Sequence, residues 1–243
     1  MRVGRIPYLN SEPFYFDLAG HELVPLPPRP LGHAMEAGRV DAGPLSLVDF
    51  FRLEPALRPL PLGIATSGPA QSVILFSTRP VKELDGAVIG VTDETSTSVR
   101  LLRLLLTAKY EVTPRAWVDA GAPSDAVLLI GDRALRALHG DHPTAYPIDL
   151  GTEWVEWTGL PCVFARWGVR TSIGAGACAE LADALEASIG RALAALPRIA
   201  AARRDVGLAE AGVLRYLHGF TYRLASDEER AIAELRRRLA LIE

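Results

Sequence analysis

The chain has 243 residues, of which 49% are apolar and 23% charged, so one large domain or two modest ones can bury a core. Its net charge is −3, from 26 Lys and Arg against 29 Asp and Glu, which gives no electrostatic reason to expect a nucleic-acid or membrane partner. The two cysteines, Cys162 and Cys178, form neither a disulfide framework nor a metal-binding pattern.

Membrane and export signals are not evident in the sequence. No stretch approaches the ~20 apolar residues that a membrane helix requires. The first residues, Arg2 to Ile6, lack the charged and apolar regions of a signal peptide. On the sequence as given, we therefore expect a cytoplasmic protein.

The first predicted strand ends in a polar turn. Residues 3–9 are mostly apolar, and the turn at 10–13 precedes further aromatic residues. Ligands of open α/β sheets bind at the carboxyl ends of the strands. No charged side chain lies between Ile6 and Ser11, so we expect Asn10 and Ser11 to form a neutral, hydrogen-bonding site.

Two serines stand where predicted elements meet. Ser46 follows a strand and a Gly-Pro turn and precedes a helix over 47–53, so it either caps that helix or faces a ligand. Ser72 begins a β-rich run over 72–77 beside another Gly-Pro turn, and we expect its hydroxyl to face the same opening as Asn10. The other elements predicted in this part are strands over 22–26 and 58–64 and a helix over 31–38.

A second unit begins with an apolar strand over 87–91, followed by a hydroxyl-rich turn over 92–98 and a Leu-rich helix. Strand, polar turn and helix together form an anion-binding geometry, because unpaired backbone N–H groups point outward at the helix start. The residues predicted to bind an anion are Thr95, Ser96 and Thr97. The alternative is ordinary capping by Thr95 or Ser96.

Later turns supply further candidates. A strand over 126–130 precedes Gly131 and Asp132, which we expect to form another turn facing a ligand. Trp154 and Trp157, three residues apart, share one face of a helical turn, where they either pack in the core or form a wall for a flat ligand. The spacing of His139 and His142 is not completed to a metal site by any nearby carboxylate or cysteine pattern.

The order of the elements predicts two α/β lobes. A strand over 162–169 balances the run over 72–77, and we interpret the two as antiparallel crossing strands. The first lobe then comprises residues 1–81 and 162–243, including the C-terminal helices, and the inserted second lobe comprises 82–161. A ligand is expected in the cleft between them, since pockets favour domain interfaces.

This two-lobed α/β clamshell resembles the type II periplasmic-binding-protein fold. The sequence is similar to the menaquinone-biosynthetic members of that fold, above all the chorismate dehydratases of the futalosine pathway. The segments that carry the resemblance are VGRIPYLNSEP at 3–13, SVILFS at 72–77 and the stretch from Asp149 to Ala165. The first of these is fairly specific, and the similarity extends over essentially the whole chain.

The resemblance implies loss of water from chorismate, a dicarboxylate, to give 3-[(1-carboxyvinyl)oxy]benzoate without a metal or redox cofactor. It implies catalytic roles for Asn10 and Ser72. The residues expected to bind substrate are Ser11, Ser46, Thr95, Ser96, Thr97, Gly131, Asp132 and Trp154. Neither a nucleic acid nor a membrane is expected as partner, and the protein is expected to be a monomer or homodimer.

The cleft segments contain no obvious general base. Asp132 and Glu153 are the only candidates, so we favour the hypothesis that the enolpyruvyl carboxylate of the substrate removes the proton. Two other functions stay open. One is a 1,4-dihydroxy-6-naphthoate synthase of the same fold, a family that relies on a cleft histidine. The other is a binding protein for a small carboxylate without any chemistry.

Overall fold

The computed structural model describes residues 1–140 and 144–242, which form two mixed β-sheets flanked by helices. The strands are β1 (Arg2–Arg5), β2 (Glu22–Pro25), β3 (Ala42–Ser46), β4 (Leu57–Thr66), β5 (Val73–Ser77), β6 (Val88–Val91), β7 (Ala116–Asp119), β8 (Ala126–Ile130), β9 (Tyr146–Asp149), β10 (Cys162–Arg170) and β11 (Thr221–Arg223). The first sheet has the order β11-β4-β10-β3-β1-β2, and the second has the order β7-β6-β8-β5-β9.

Helices cover the sheets. They are α1 (Glu12–Tyr15), α2 (Pro28–Glu36), α3 (Leu47–Leu53), α4 (Thr97–Leu104), α5 (Gly131–His139), α6 (Leu150–Thr158), α7 (Ala175–Ala194), α8 (Leu196–Ala202), α9 (Glu210–His218) and α10 (Ser226–Leu239). A short 3₁₀ turn, Leu9–Ser11, joins β1 to α1. None of the helices in the described ranges is both long and apolar enough to cross a membrane.

The local sequence accounts for the central strands. Every residue of β3 and β5 is buried, and so are four of the five residues of β8. Such burial is expected for nearly continuous apolar runs that are covered on both faces. The helix α6 begins where the Asp149 side chain accepts hydrogen bonds from two backbone N–H groups of the first turn. It ends at Gly159, whose φ of 69° suits a residue without a side chain.

The chain crosses between the sheets in residues 67–72 and 159–161, and the two runs interpreted as crossing strands, 72–77 and 162–169, lie in different sheets. The run over 72–77 does not pair with the strand over 162–169. Instead β5 pairs with β8 and β9 in the second sheet, and β10 pairs with β3 and β4 in the first. Both runs are apolar, and such runs do not reveal their partners. Residues 73–77 therefore belong to the second sheet.

The hydrophobic cores follow the lobes only in part, because the core cluster of the second lobe also contains first-lobe residues such as Leu47 and Leu224. In the first lobe, α7 and α9 pack on the first sheet through residues such as Leu181, Leu185 and Leu217. The helix α10 differs from expectation, because Ile232 and Leu235 join the core cluster that contains Leu101 of α4. The last helix therefore packs against the second lobe as well as against β10 of the first.

Candidate functional site

A cavity between the lobes has an atom-free volume of about 500 Å³ including its mouth. Eight of the ten residues predicted to form the site line it, together with residues that the sequence did not single out, among them Tyr8, Ser98 and Phe164. The eight are Asn10, Ser11, Ser46, Ser72, Thr95, Ser96, Thr97 and Gly131. Segments far apart in the chain therefore converge on one place, and the roles of these residues remain to be proposed from their geometry.

Asn10, the only asparagine of the chain, lies in the turn at the carboxyl end of β1. Ser11 is fully buried, and its hydroxyl donates to Oδ1 of Asn10 at 3.3 Å. This bond directs the amide nitrogen, which has no hydrogen-bond partner in the described part of the chain. Asn10 can therefore donate to an oxygen atom of a ligand in the cavity.

Ser72 lies at the end of the first crossing segment and is 1% exposed. Its carbonyl accepts the N–H of Gly131 at 2.8 Å. Its hydroxyl donates to the carbonyl of Ala70 at 3.2 Å and accepts from the Tyr216 hydroxyl at 2.8 Å. Ser72 is thus held on several sides while it contributes to the cavity wall.

The start of α4 forms the wall contributed by the second lobe. Ser96 occupies the N-cap position without a side-chain capping bond, so capping does not use its hydroxyl. The Thr97 hydroxyl oxygen accepts the N–H of Val48 from the first lobe at 3.1 Å. The remaining N–H groups of the first turn and the positive end of the helix dipole make this wall suitable for a carboxylate.

The acidic residues beside this turn point elsewhere. Asp93 is exposed, and neither Asp93 nor Glu94 lines the cavity. The carboxylate of Glu94 instead accepts a hydrogen bond from the Tyr8 hydroxyl at 2.6 Å. Glu94 is thus held by Tyr8 at the edge of the cavity and does not line it.

Ser46 occupies the N-cap position of α3 and also lines the cavity. Its location therefore agrees with both predictions made for it, a helix cap and a residue facing a ligand. Its hydroxyl makes no capping bond to the helix backbone. It donates instead to the carboxylate of Asp49 at 2.7 Å. The oxygen of Ser46 can still accept a hydrogen bond from a ligand.

Tyr8 and Gly131 bring the lobes into contact. Gly131 has a φ of +61°, and a Cβ atom at this position would lie 2.7 Å from the ring of Tyr8. Only glycine meets both conditions without strain. The sequence analysis identified Gly131 but not Tyr8. The available signal for Tyr8 was an aromatic residue next to the polar turn.

Gly131→Ala is expected to weaken lobe contact, because its added methyl group meets the Tyr8 ring. Gly159→Ala is the matched control, since Gly159 has a φ of +69° and nothing within 4 Å of the added Cβ. Both variants carry a backbone cost of about 1 kcal/mol, and Gly131→Ala carries about 1–3 kcal/mol more from the clash. Urea unfolding of both variants measures the difference, and equal losses of stability would contradict the contact.

Asp132, which was expected to bind substrate, does not line the cavity. Burial raises the pKa of this carboxyl, a property that would suit a general base. Both of its oxygens are occupied, however, because Oδ1 accepts the N–H of Leu9 at 2.9 Å and Oδ2 pairs with Arg203. Asp132 ties the second lobe to the first.

Trp154 also lies outside the lining of the cavity, in contrast to the expectation that it forms a ligand wall. It is 2% exposed within the core of the second lobe. Its indole N–H donates to the carbonyl of Pro161 at 3.0 Å, and its ring meets Trp157 edge to face at 6.3 Å. Both tryptophans pack in or against the core of the second lobe, which was the alternative prediction for this pair.

The electrostatic character of the cavity is neutral. Among the described residues, no Asp, Glu, Lys, Arg or His lines it, and Tyr8 is the one titratable side chain there. Burial and the bond to Glu94 raise the pKa of Tyr8, so its hydroxyl stays protonated. Glu153, the second candidate base, bonds to Lys109 and Tyr110 away from the cavity.

Within residues 1–140 and 144–242, no group of three or more His, Cys, Asp or Glu side chains is arranged to hold a metal ion. His142, one of the two histidines of the H-x-x-H spacing, lies outside the described residues. The expectation that the protein needs no cofactor stays a prediction.

Two α/β lobes with a cleft between them are the architecture of the periplasmic-binding-protein-like fold, and solved structures share it. A protein from Archaeoglobus fulgidus superposes with a TM-score of 0.81 at 18% identity over 99% of this chain and 97% of its own. The periplasmic aliphatic sulphonate binding protein of Escherichia coli superposes with a TM-score of 0.68 at 16% identity over 100% and 86%. The predicted fold class is confirmed.

Sequence comparison gives the family. Residues 1–241 match the family model described as menaquinone biosynthesis, so the chain belongs to that family. It is 29% identical to the chorismate dehydratase of Thermus thermophilus, over 93% of this chain and 90% of the relative. It is also 29% identical to the 1,4-dihydroxy-6-naphtoate synthase of Streptomyces coelicolor, over 65% and 61%. The family suggested by the sequence motifs is confirmed.

Proposed function

We propose that the protein is a hydro-lyase that converts chorismate to 3-[(1-carboxyvinyl)oxy]benzoate and water in menaquinone biosynthesis. The observation that carries the proposal is the neutral cavity, in which hydroxyl groups, one amide and a helix start surround the space between the lobes. The similarity to a chorismate dehydratase over 93% of the chain supports the same reaction. A dicarboxylate substrate fits a site that offers donors without acids.

The reaction removes one ring hydrogen as a proton and expels one hydroxyl group. A new ring double bond forms, and the resulting aromaticity drives the reaction. The proton and the hydroxyl leave together as water, so no oxidant or reductant is consumed. The site therefore has to hold two carboxylates, align the leaving hydroxyl and limit the access of water.

The roles follow from the positions of the donors. The amide of Asn10 donates to the substrate from the first lobe, and the α4 N-terminus with Thr95, Ser96 and Thr97 binds one carboxylate from the second. Ser72 assists the departing hydroxyl. Preorganised donors of this kind stabilise charge as it develops, because they do not have to reorient during the reaction.

The proton acceptor is proposed to be the enolpyruvyl carboxylate of the substrate. The described protein side chains around the cavity supply no carboxylate or imidazole for this step. Asp132 is engaged by Leu9 and Arg203, which further supports a base within the substrate. The protein then contributes mainly orientation and proximity.

Chorismate added to the purified protein is expected to lose one water, which ultraviolet absorbance and mass spectrometry detect.

The value of kcat is expected to stay constant from about pH 6 to about pH 9, because the raised pKa of Tyr8 lies above this range and its protonation does not change. A kcat that rises with a pKa near neutrality would instead indicate a base supplied by the protein.

Two other outcomes of this assay have a clear meaning. Saturable binding of chorismate without turnover would indicate a binding protein, the class to which the sulphonate-binding neighbour belongs. Turnover of a cyclic futalosine derivative instead of chorismate would indicate naphthoate synthesis, the activity named for the relative that covers 65% of this chain. A cytoplasmic location and a monomeric or homodimeric state remain predictions.

A further inference from the structure

The buried hydroxyl of Tyr216 bonds to the cavity residue Ser72 without touching the cavity itself. Tyr216 lies on α9 of the first lobe, is 1% exposed and does not line the space between the lobes. Its hydroxyl oxygen lies 2.8 Å from Oγ of Ser72. The ring is fixed by an edge-to-face contact with Phe220 at 5.0 Å.

The carbonyl of Ala70 determines which hydroxyl donates in the hydrogen bond between Tyr216 and Ser72. The hydroxyl of Ser72 has one proton, and the carbonyl of Ala70, 3.2 Å away, can only accept. When Ser72 donates to that carbonyl, Tyr216 has to be the donor in the bond between the two hydroxyls. The reverse direction would leave the buried Tyr216 proton without an acceptor among the described residues, which is costly.

The two bonds of Ser72 differ in quality. The bond from Tyr216 has the 2.8 Å length usual for O–H···O pairs, whereas the bond to Ala70 is long at 3.2 Å. The proton of Ser72 is therefore held weakly and can move to a better acceptor. Donation from Tyr216 also polarises the Ser72 hydroxyl and strengthens it as a donor.

We infer that Tyr216 is a positioning residue that fixes the direction of the Ser72 proton, so that Ser72 donates to the hydroxyl leaving the substrate. The inference rests on the proposed dehydration. Among the described residues, the Tyr216 hydroxyl makes no hydrogen bond other than the one to Ser72, so it acts on the cavity through Ser72. Burial raises the pKa of Tyr216 well above its usual value, which keeps the donor protonated.

Tyr216→Phe tests the inference because it removes the hydroxyl and keeps the ring against Phe220. We expect kcat for chorismate to fall about tenfold, the effect of one buried hydrogen bond, with KM changed less than about twofold. Tyr222→Phe is the matched control. Tyr222 is 3% exposed in the same lobe, and its hydroxyl has no hydrogen-bond partner within the described residues, so kcat is expected to be unchanged.

A double-mutant cycle with Ser72→Ala separates positioning from a structural effect. If Tyr216 acts through Ser72, the double variant has the same kcat as Ser72→Ala alone. Independent, multiplicative losses in the double variant would overturn the inference, as would wild-type kcat in Tyr216→Phe. If the wild-type protein fails to dehydrate chorismate, the proposed function itself is overturned, a result distinct from either of these.

Discussion

Asn10→Asp is expected to lower kcat/KM for chorismate at least about a thousandfold, through loss of a preorganised donor and repulsion of the dianion. The substitution keeps the size and shape of the side chain but replaces the amide nitrogen with an oxygen that carries negative charge. Asn10 is 9% exposed, so solvent screens this charge poorly. Steady-state kinetics with chorismate measure the effect, and thermal unfolding verifies that the variant is folded.

Ser11→Ala is a graded comparison for this variant. Its hydroxyl donates to Oδ1 of Asn10 at 3.3 Å, so its removal loosens the amide without adding charge. We expect kcat to fall only about threefold, consistent with one long hydrogen bond. Near-normal activity of Asn10→Asp, or an equal loss in both variants, would show that the amide of Asn10 does not contact the substrate.

Ser96→Asp is expected to raise KM for chorismate about a hundredfold. Two carboxylates about 4 Å apart repel by about 4 kcal/mol at an effective dielectric constant of about 20, and partial exposure of this residue reduces the effect. Asp is favoured at an N-cap and near a helix N-terminus, so α4 itself is not expected to be weakened. The rise in KM therefore reports on the ligand and not on folding.

Ser96→Asn is the matched control, because asparagine is close in size to aspartate, also caps helices well and carries no charge. Its KM is expected to stay within about threefold of the wild-type value. Fluorescence titration or calorimetry with chorismate provides a binding measurement that does not depend on turnover. If the Asp and Asn variants bind equally well, no carboxylate of the substrate lies at the start of α4.

The sequence predicted the parts of the site that depend on local pattern. The strand, polar turn and helix over 87–104 place Thr95, Ser96 and Thr97 at the cavity because each step follows from neighbouring residues. The turn that carries Asn10 and Ser11 follows from an apolar strand and its polar end in the same way. Such local rules fix where a ligand-facing turn occurs, although not what the turn binds.

Features that depend on distant partners were not predictable in the same way. Asp132 appeared to be a ligand-facing acid, but Arg203, 71 residues away in the chain, holds it outside the cavity. Trp154 meets the carbonyl of Pro161 in the core, and a pair of tryptophans at helical spacing has the same appearance whether it is buried or lines a cleft. Pairing of β5 with β8 is likewise a tertiary choice between equally apolar strands.

The attachment of Ser72 to both lobes links its chemistry to motion of the lobes. Its carbonyl is bonded to Gly131 of the second lobe, and its hydroxyl is bonded to Tyr216 of the first. If the cleft opened by rotation of the lobes, one of these bonds would have to lengthen, so the orientation of the serine proton is expected to depend on closure of the lobes.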